Sequence, residues 1–347
     1  MPAGFSPSVM GSFLLRGEKA LDKRPGIETI PAMTTIGSAR QQVPAEAVPS
    51  SGESRRKGRT PSPLPEDLDP AETLPRHQRR FDRSARLLGD RGMARLQRSH
   101  VVVFGVGGVG SFAVEALARS GVGKLTLIDF DEICVTNSNR QLHTLKDSYG
   151  RSKCEVMAER CRLINPRIEV LCRELFYGAE TSSELLPEDF RPDFVVDAID
   201  NITAKCHLLD TCRRRDLAVV TSMGAAAKMD PTQIRVADIK DTYNDPFARD
   251  IRAILRRQYG WEMSAPVGLP AVFSVERPHA PTALYYDQAS GGFQCVCPPK
   301  EDRPHSCEER VQVEGSLGFV TGAFGLACAG VVVNRLVGRD VKLVGLP

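Results

Sequence analysis

Residues 101–141 read VVVFGVGGVGSFAVEALARSGVGKLTLIDFDEICVTNSNRQ, and this stretch decides the fold. Val101 to Phe104 form a continuous apolar run, Gly105-Val-Gly107-Gly108-Val-Gly110 follows it, and Phe112, Val114, Ala116 and Leu117 then recur at helical spacing. The pattern predicts strand, glycine turn and helix. A second apolar run, Leu125 to Ile128, ends in Asp129, setting an acid at the tip of a neighbouring parallel strand, where a nucleotide's ribose would lie. The stretch reads as a mononucleotide-binding βαβ unit. Hydride-transfer, flavin and adenylating enzymes all cradle phosphates this way, so the turn does not choose among them.

On the amino side, Leu87, Leu88, Met93 and Leu96 form a helical stripe leading into the Val101 strand, so the folded region is expected to begin at about Arg79. Residues 1–78 are rich in Pro, Ser, Gly and Ala without a sustained apolar period and read as a disordered extension. Glu18, Asp22 and Glu28 weaken a transit-peptide reading of its start.

On the carboxyl side the sequence predicts a helix over about 153–164, stopped by Asn165-Pro166, then strands at 168–171, 194–197 and 218–221 with a helix over 202–215. This alternation predicts an α/β fold, a Rossmann-like doubly wound and mostly parallel sheet, with a nucleotide-binding core at about 98–225. Residues 226–336 read as an α+β extension of it: a strand at 233–238, a basic amphipathic helix over 246–258, a strand at 271–276, a loop at 289–314 and an apolar helix over 316–336. The last approaches membrane-spanning length, but its glycines and alanines equally suit close packing beneath a sheet. Residues 337–347 form a tail.

With 347 residues, 41% hydrophobic and 26% charged, the chain can bury a full core. A net charge of +3 is too small to mark a nucleic-acid binder or to decide the partner. Ten cysteines, irregularly spaced and without a hydrophobic secretory leader, predict free thiols and a reducing compartment. The cytoplasm is the expected location, with mitochondrial targeting and membrane association as the alternatives.

The groups beyond the turn narrow the chemistry. Asp129-Phe-Asp131 is followed by Asn137-Ser-Asn139-Arg140-Gln141 and then by Lys153, so one phosphate-binding face gathers two cations and several amide side chains. A dinucleotide enzyme has no need of these cations. Attack of a carboxylate on the α-phosphate of ATP does, because the transition state and departing pyrophosphate carry charge that Arg, Lys and a metal ion offset. Asp200, at the end of the Phe194 strand, lies where open α/β sheets place ligand contacts, and as a hard oxygen ligand it could hold Mg2+. Asp197 is left as a cap or a supporting group behind it.

These residues resemble the adenylating family that includes the molybdopterin-synthase and thiazole-biosynthesis adenylyltransferases and the ubiquitin-activating enzymes. The family's Gly-x-Gly-Gly-x-Gly is matched by Gly105, Gly107, Gly108 and Gly110, its Asp-x-Asp by Asp129 and Asp131, and its Asn-x-x-Arg-Gln by Asn137, Arg140 and Gln141. Its Lys and late Asp fall on Lys153 and Asp200. Arg80-Phe81-Asp82-Arg83 resembles the family's Arg-Tyr-x-Arg, which implies that Arg83 reaches the ATP site of a second copy and that the chain is a homodimer.

The resemblance extends to the branch that closes the threonylcarbamoyl side chain of a modified adenosine in tRNA. Val156 to Arg160, Ile164 to Pro166, Gly224 to Gln233, Asp245-Pro246 and Val272 to Glu276 carry it. It implies a ligase-type, ATP-dependent dehydratase. ATP adenylates the threonyl carboxylate, and an internal nucleophile of the same base displaces AMP, with tRNA as substrate and no role for DNA.

Ala271 stands where members of this branch often have a cysteine, which argues against a thioester at that position. Cys295, Cys297, His305 and Cys307 offer a structural Zn2+ set, although their spacing is not that of paired Cys-x-x-Cys sites. Arg213 to Arg215 and the helix with Arg249, Arg252, Arg256 and Arg257 are candidates for tRNA phosphates, or are solvated faces. Three other readings remain open: an adenylyltransferase for the C-terminus of a ubiquitin-like sulfur carrier, which would bring a sulfur-transfer partner, a nicotinamide-dependent oxidoreductase, and a scaffold without activity.

Overall fold

The computed structural model describes residues 79–284 and 314–343. The extension at 1–78 and the set Cys295, Cys297, His305 and Cys307 lie outside the described residues.

A seven-stranded sheet forms the centre. In chain order its strands are β1 (His100–Phe104), β2 (Lys124–Ile128), β3 (Glu169–Arg173), β4 (Phe194–Asp197), β5 (Val219–Ser222), β6 (Ile234–Asp238) and β7 (Pro270–Ser274). Their spatial order is β3-β2-β1-β4-β5-β7-β6. All neighbours are parallel except β6 and β7, which pair antiparallel at one edge. The α+β portion thus extends the same sheet.

Helices α1 (Asp82–Arg98), α2 (Gly110–Ser120), α3 (Lys153–Ile164), α4 (Ser182–Leu185), α5 (Ile202–Arg214), α6 (Pro246–Tyr259) and α7 (Gly318–Leu336) cover it. β1 shows why its sequence is continuously apolar: Val101 and Val103 join the core under α2 and α3, while Val102 and Phe104 join the core on the other side, under α5. A parallel strand buried on both faces has no polar side to alternate with.

The chain leaves β1 for β2 and β3 on one side and returns to β4 on the other, so loops 105–110 and 198–201 diverge from neighbouring strand ends. This is the topological switch point of a doubly wound sheet. The loops touch: a Cβ on Gly105, whose φ is +85°, would lie 2.7 Å from the Ala198 carbonyl oxygen.

α7 is long and apolar enough to cross a membrane, alone in this among the described residues. Half of it is buried inside the fold. A Cβ on Gly325 would meet the Val109 oxygen at 2.2 Å, and one on Gly322 would meet the Phe112 ring at 3.1 Å, so its glycines seat the helix directly on α2. Close packing, the second expectation for this segment, is what the fold uses it for.

One part of the α1 stripe fails. Gly89 has φ +72° and ψ 169° and breaks the helix, so the two halves lose a common phase. Met93 and Leu96 are buried, but Leu87 is 75% exposed.

Candidate active site

The site is built on the glycine turn at the carboxyl end of β1. The Asp129 carboxylate clamps that turn, accepting the Val106 amide at 2.6 Å through Oδ2 and the Asp131 amide at 2.9 Å through Oδ1. Both oxygens of the acid expected at a ribose therefore hold backbone. The carboxylate that faces outward is Asp131, whose side chain is 42% exposed.

Lys153 opens α3, where Ser152 caps the helix by accepting the Glu155 amide. Its ammonium donates to Asp131 Oδ2 at 2.6 Å and lies 3.9 Å from Asp129 Oδ1. Burial alone would push its pKa down, but the fields of Asp129, Asp131 and Asp200 outweigh that and hold it above the ordinary lysine value. Lys153 is thus a fixed positive charge at the floor of the switch point, 5% exposed, and not a solvated helix residue.

The turn at 134–141 supplies the opposite wall. Asn137 stabilises it, accepting the Cys134 amide at 3.0 Å through Oδ1, while its own carbonyl accepts the Arg140 and Gln141 amides at 3.1 and 2.9 Å. Arg140 lies over the phosphate turn, because a Cβ on Gly108 would stand 3.3 Å from Arg140 Cγ. Its guanidinium donates to the Thr136 carbonyl and to Asn139 Oδ1. Gln141 turns its amide nitrogen toward Gly107 and leaves Oε1 buried without a hydrogen-bond partner among the described residues. A Cβ on Gly110 would fall 1.8 Å from the Gly105 oxygen, so the turn closes only with glycine there. α2 begins with neither a capping side chain nor an acid in its first turn, which suits an anion.

Asp200 is exposed just past β4 and close enough to raise the Lys153 pKa. Asp197 points away from the site. It is fully buried with Lys205, 2.7 Å away, and accepts Thr221 Oγ1 at 2.7 Å. This buried pair joins β4, β5 and α5 and fixes where Asp200 emerges. Lys205, behind the candidate site on Asp197, and His143, beside Lys153, are residues that the sequence did not announce. His143 is 1% exposed, neither ring nitrogen has a hydrogen-bond partner among the described residues, and burial with the nearby Lys153 charge pushes its pKa down to about 3.

Arg83 is absent from this cluster. It is exposed on α1, whose preceding turn docks at the amino ends of the strands, away from the glycine turn: Arg80 donates to the Ile164 carbonyl at the end of α3, and buried Phe81 lies under Gly121 at the end of α2. Ala271 is buried within β7, and burial raises the thiols of Cys161, Cys212 and Cys328 to about 12. Cysteines held this firmly protonated are poor nucleophiles.

A family model described as the ThiF family matches residues 81–345. The chain belongs to the ThiF family. Among curated ThiF-type relatives, the tRNA threonylcarbamoyladenosine dehydratase of Escherichia coli strain K12 is 37% identical over 272 residues, which cover 76% of this chain and 96% of that protein. The protein of the same name from Haemophilus influenzae is 44% identical over 202 residues, covering 58% and 77%. The crystal structure of the E. coli enzyme in complex with ATP superposes with a TM-score of 0.62 at 35% identity, covering 74% of this chain and 93% of that one.

Proposed function

We propose that this protein is an ATP-dependent tRNA threonylcarbamoyladenosine dehydratase that works through an acyl-adenylate. The observation that carries the chemistry is the buried Lys153 ammonium, paired with Asp131 beneath the glycine turn, with Arg140 above it. A carboxylate oxygen of the threonyl group attacks the α-phosphorus of ATP and pyrophosphate departs. A nucleophile within the same modified base then attacks the acyl carbon and expels AMP, so the base loses one water. Arg140 and Lys153 offset the charge that builds on the phosphates, and the Asp129 clamp keeps the turn's amides aimed at them.

Among the described residues no group of three His, Cys, Asp or Glu side chains could hold a metal. A single exposed carboxylate fits Mg2+, which takes one or two protein carboxylates and completes its shell with phosphates and water. Asp200 would hold it, and the ion would supply further charge neutralisation. Arg83, far from its own site, acts in the site of a second copy. The cysteines among the described residues are free, most of them buried, which agrees with a reducing cytoplasm.

ATP–pyrophosphate exchange tests the reading. Stimulation by tRNA bearing threonylcarbamoyladenosine is expected; stimulation by a ubiquitin-like protein and not by tRNA would replace it with a carrier adenylyltransferase.

A further inference from the structure

α6 carries a basic row that the nucleotide site does not use. Ala248, Ile251 and Leu255 bury one face of this helix. Arg249, Arg252 and Arg256 repeat at intervals of three and four along its flank, with Arg257 beside them. Like charges at that spacing repel one another and destabilise a helix. The crowding is felt at Arg252, where burial first, then Arg256 and Arg249, hold the guanidinium below its ordinary pKa against the pull of Asp245.

The row is only partly neutralised. Arg249 meets Asp250 at 3.0 Å and Arg252 donates to Thr242 Oγ1, whereas exposed Arg256 and Arg257 form no ion pair among the described residues. Arg215 makes the contrast clear, since it commits its guanidinium to the carbonyls of Leu186, Pro187 and Phe190 and so serves the fold.

The row has a direction. Asp245 caps α6 and accepts the Gly224 amide just past β5, so the helix starts at the carboxyl end of the parallel strands, the end that carries the nucleotide site. Its far end reaches Trp261, which donates to Asp210 on α5 and carries Arg213 4.6 Å above its ring. From Arg249 to Arg256 is seven residue steps, about 10 Å of helix axis at 1.5 Å per step.

We propose that this arginine row is a track for the sugar-phosphate backbone of the tRNA, leading away from the nucleoside held at the catalytic end of the sheet. The proposal rests on the dehydratase reading, in which the reacting group is attached to a long polyanion that must leave the site across some face. A row of self-repelling guanidiniums that begins at that end is relieved when phosphates lie along it.

The test measures binding of tRNA bearing threonylcarbamoyladenosine across a salt series, with ATP affinity and melting temperature measured in parallel. Arg256→Glu/Arg257→Glu should weaken tRNA binding at least tenfold while ATP affinity stays within twofold. The log–log salt slope should become shallower by about 0.7–0.9 per lost phosphate contact. The milder Arg256→Gln/Arg257→Gln should shift both quantities the same way by less. A variant that binds tRNA with wild-type affinity and slope overturns the track alone. A wild type that binds ATP but no tRNA at low salt overturns the track and the dehydratase reading together.

Discussion

Lys153 Nζ lies 2.6 Å from Asp131 Oδ2 and 3.9 Å from Asp129 Oδ1, so one buried ammonium ties the outward carboxylate to the one that clamps the phosphate turn. Its raised pKa keeps it charged to above the ordinary 10.5, and any stability it lends is lost only as pH rises through that higher value. Lys153→Met should therefore lower exchange by about 10²–10³-fold. The wild-type pH–rate profile should show no loss from this group below 10.5. Arg140→Ala should cause a similar fall in rate with little change in melting temperature, since its side chain rests on the surface of the turn.

If Arg83 serves a second copy, Arg83→Ala and Lys153→Ala are defects in different sites of a dimer. Mixed dimers then contain one site with both residues intact. Mixing the two inactive proteins should restore up to about a quarter of wild-type activity, the share set by random pairing of subunits and one good site per mixed dimer. No recovery in dimers confirmed as mixed would remove the assignment.

His143 is depressed from 6.5 to about 3 because its buried ring cannot accept a proton beside Lys153. Its unfolded form takes up that proton below 6.5, so stability present at neutral pH is lost as pH falls. Between pH 7 and 5 the wild type should lose about 2 kcal/mol more than His143→Leu, as measured by urea unfolding at each pH. Parallel losses would show that His143 titrates normally.

Asp197 and Lys205 are both fully buried and 2.7 Å apart. Lys205→Met leaves the carboxylate unpaired and should cost about 3–5 kcal/mol of unfolding free energy. Adding Asp197→Leu should recover most of it, whereas additive losses in denaturant melts would show that the pair is not coupled.

The strand-turn-helix at 101–120 was legible because Gly105 and Gly110 answer steric demands, with approaches of 2.7 Å and 1.8 Å for a Cβ at those positions. The strand order beyond β5 was not, since nothing local in Ile234–Asp238 says that it closes the edge antiparallel to β7. Asp129 and Asp131 were both visible as site acids, but which one turns inward depends on the Val106 amide, a group every sequence has. Lys205 looks like any solvated helix lysine, and its burial follows from Asp197 on β4; a charge ending the run Phe-Val-Val-Asp was the available hint. Arg215 belonged to a basic run yet serves carbonyls, a choice made by the 186–190 segment folding over it.

The central claim is that the threonyl carboxylate is activated as an adenylate. The direct measurement places heavy oxygen in that carboxylate, runs the reaction with ATP, and follows the label by mass spectrometry of the products. One labelled oxygen in the phosphate of AMP, with one AMP formed per base dehydrated, is the predicted result. Labelled oxygen appearing in water with unlabelled AMP, or dehydration accompanied by ADP, would contradict the account.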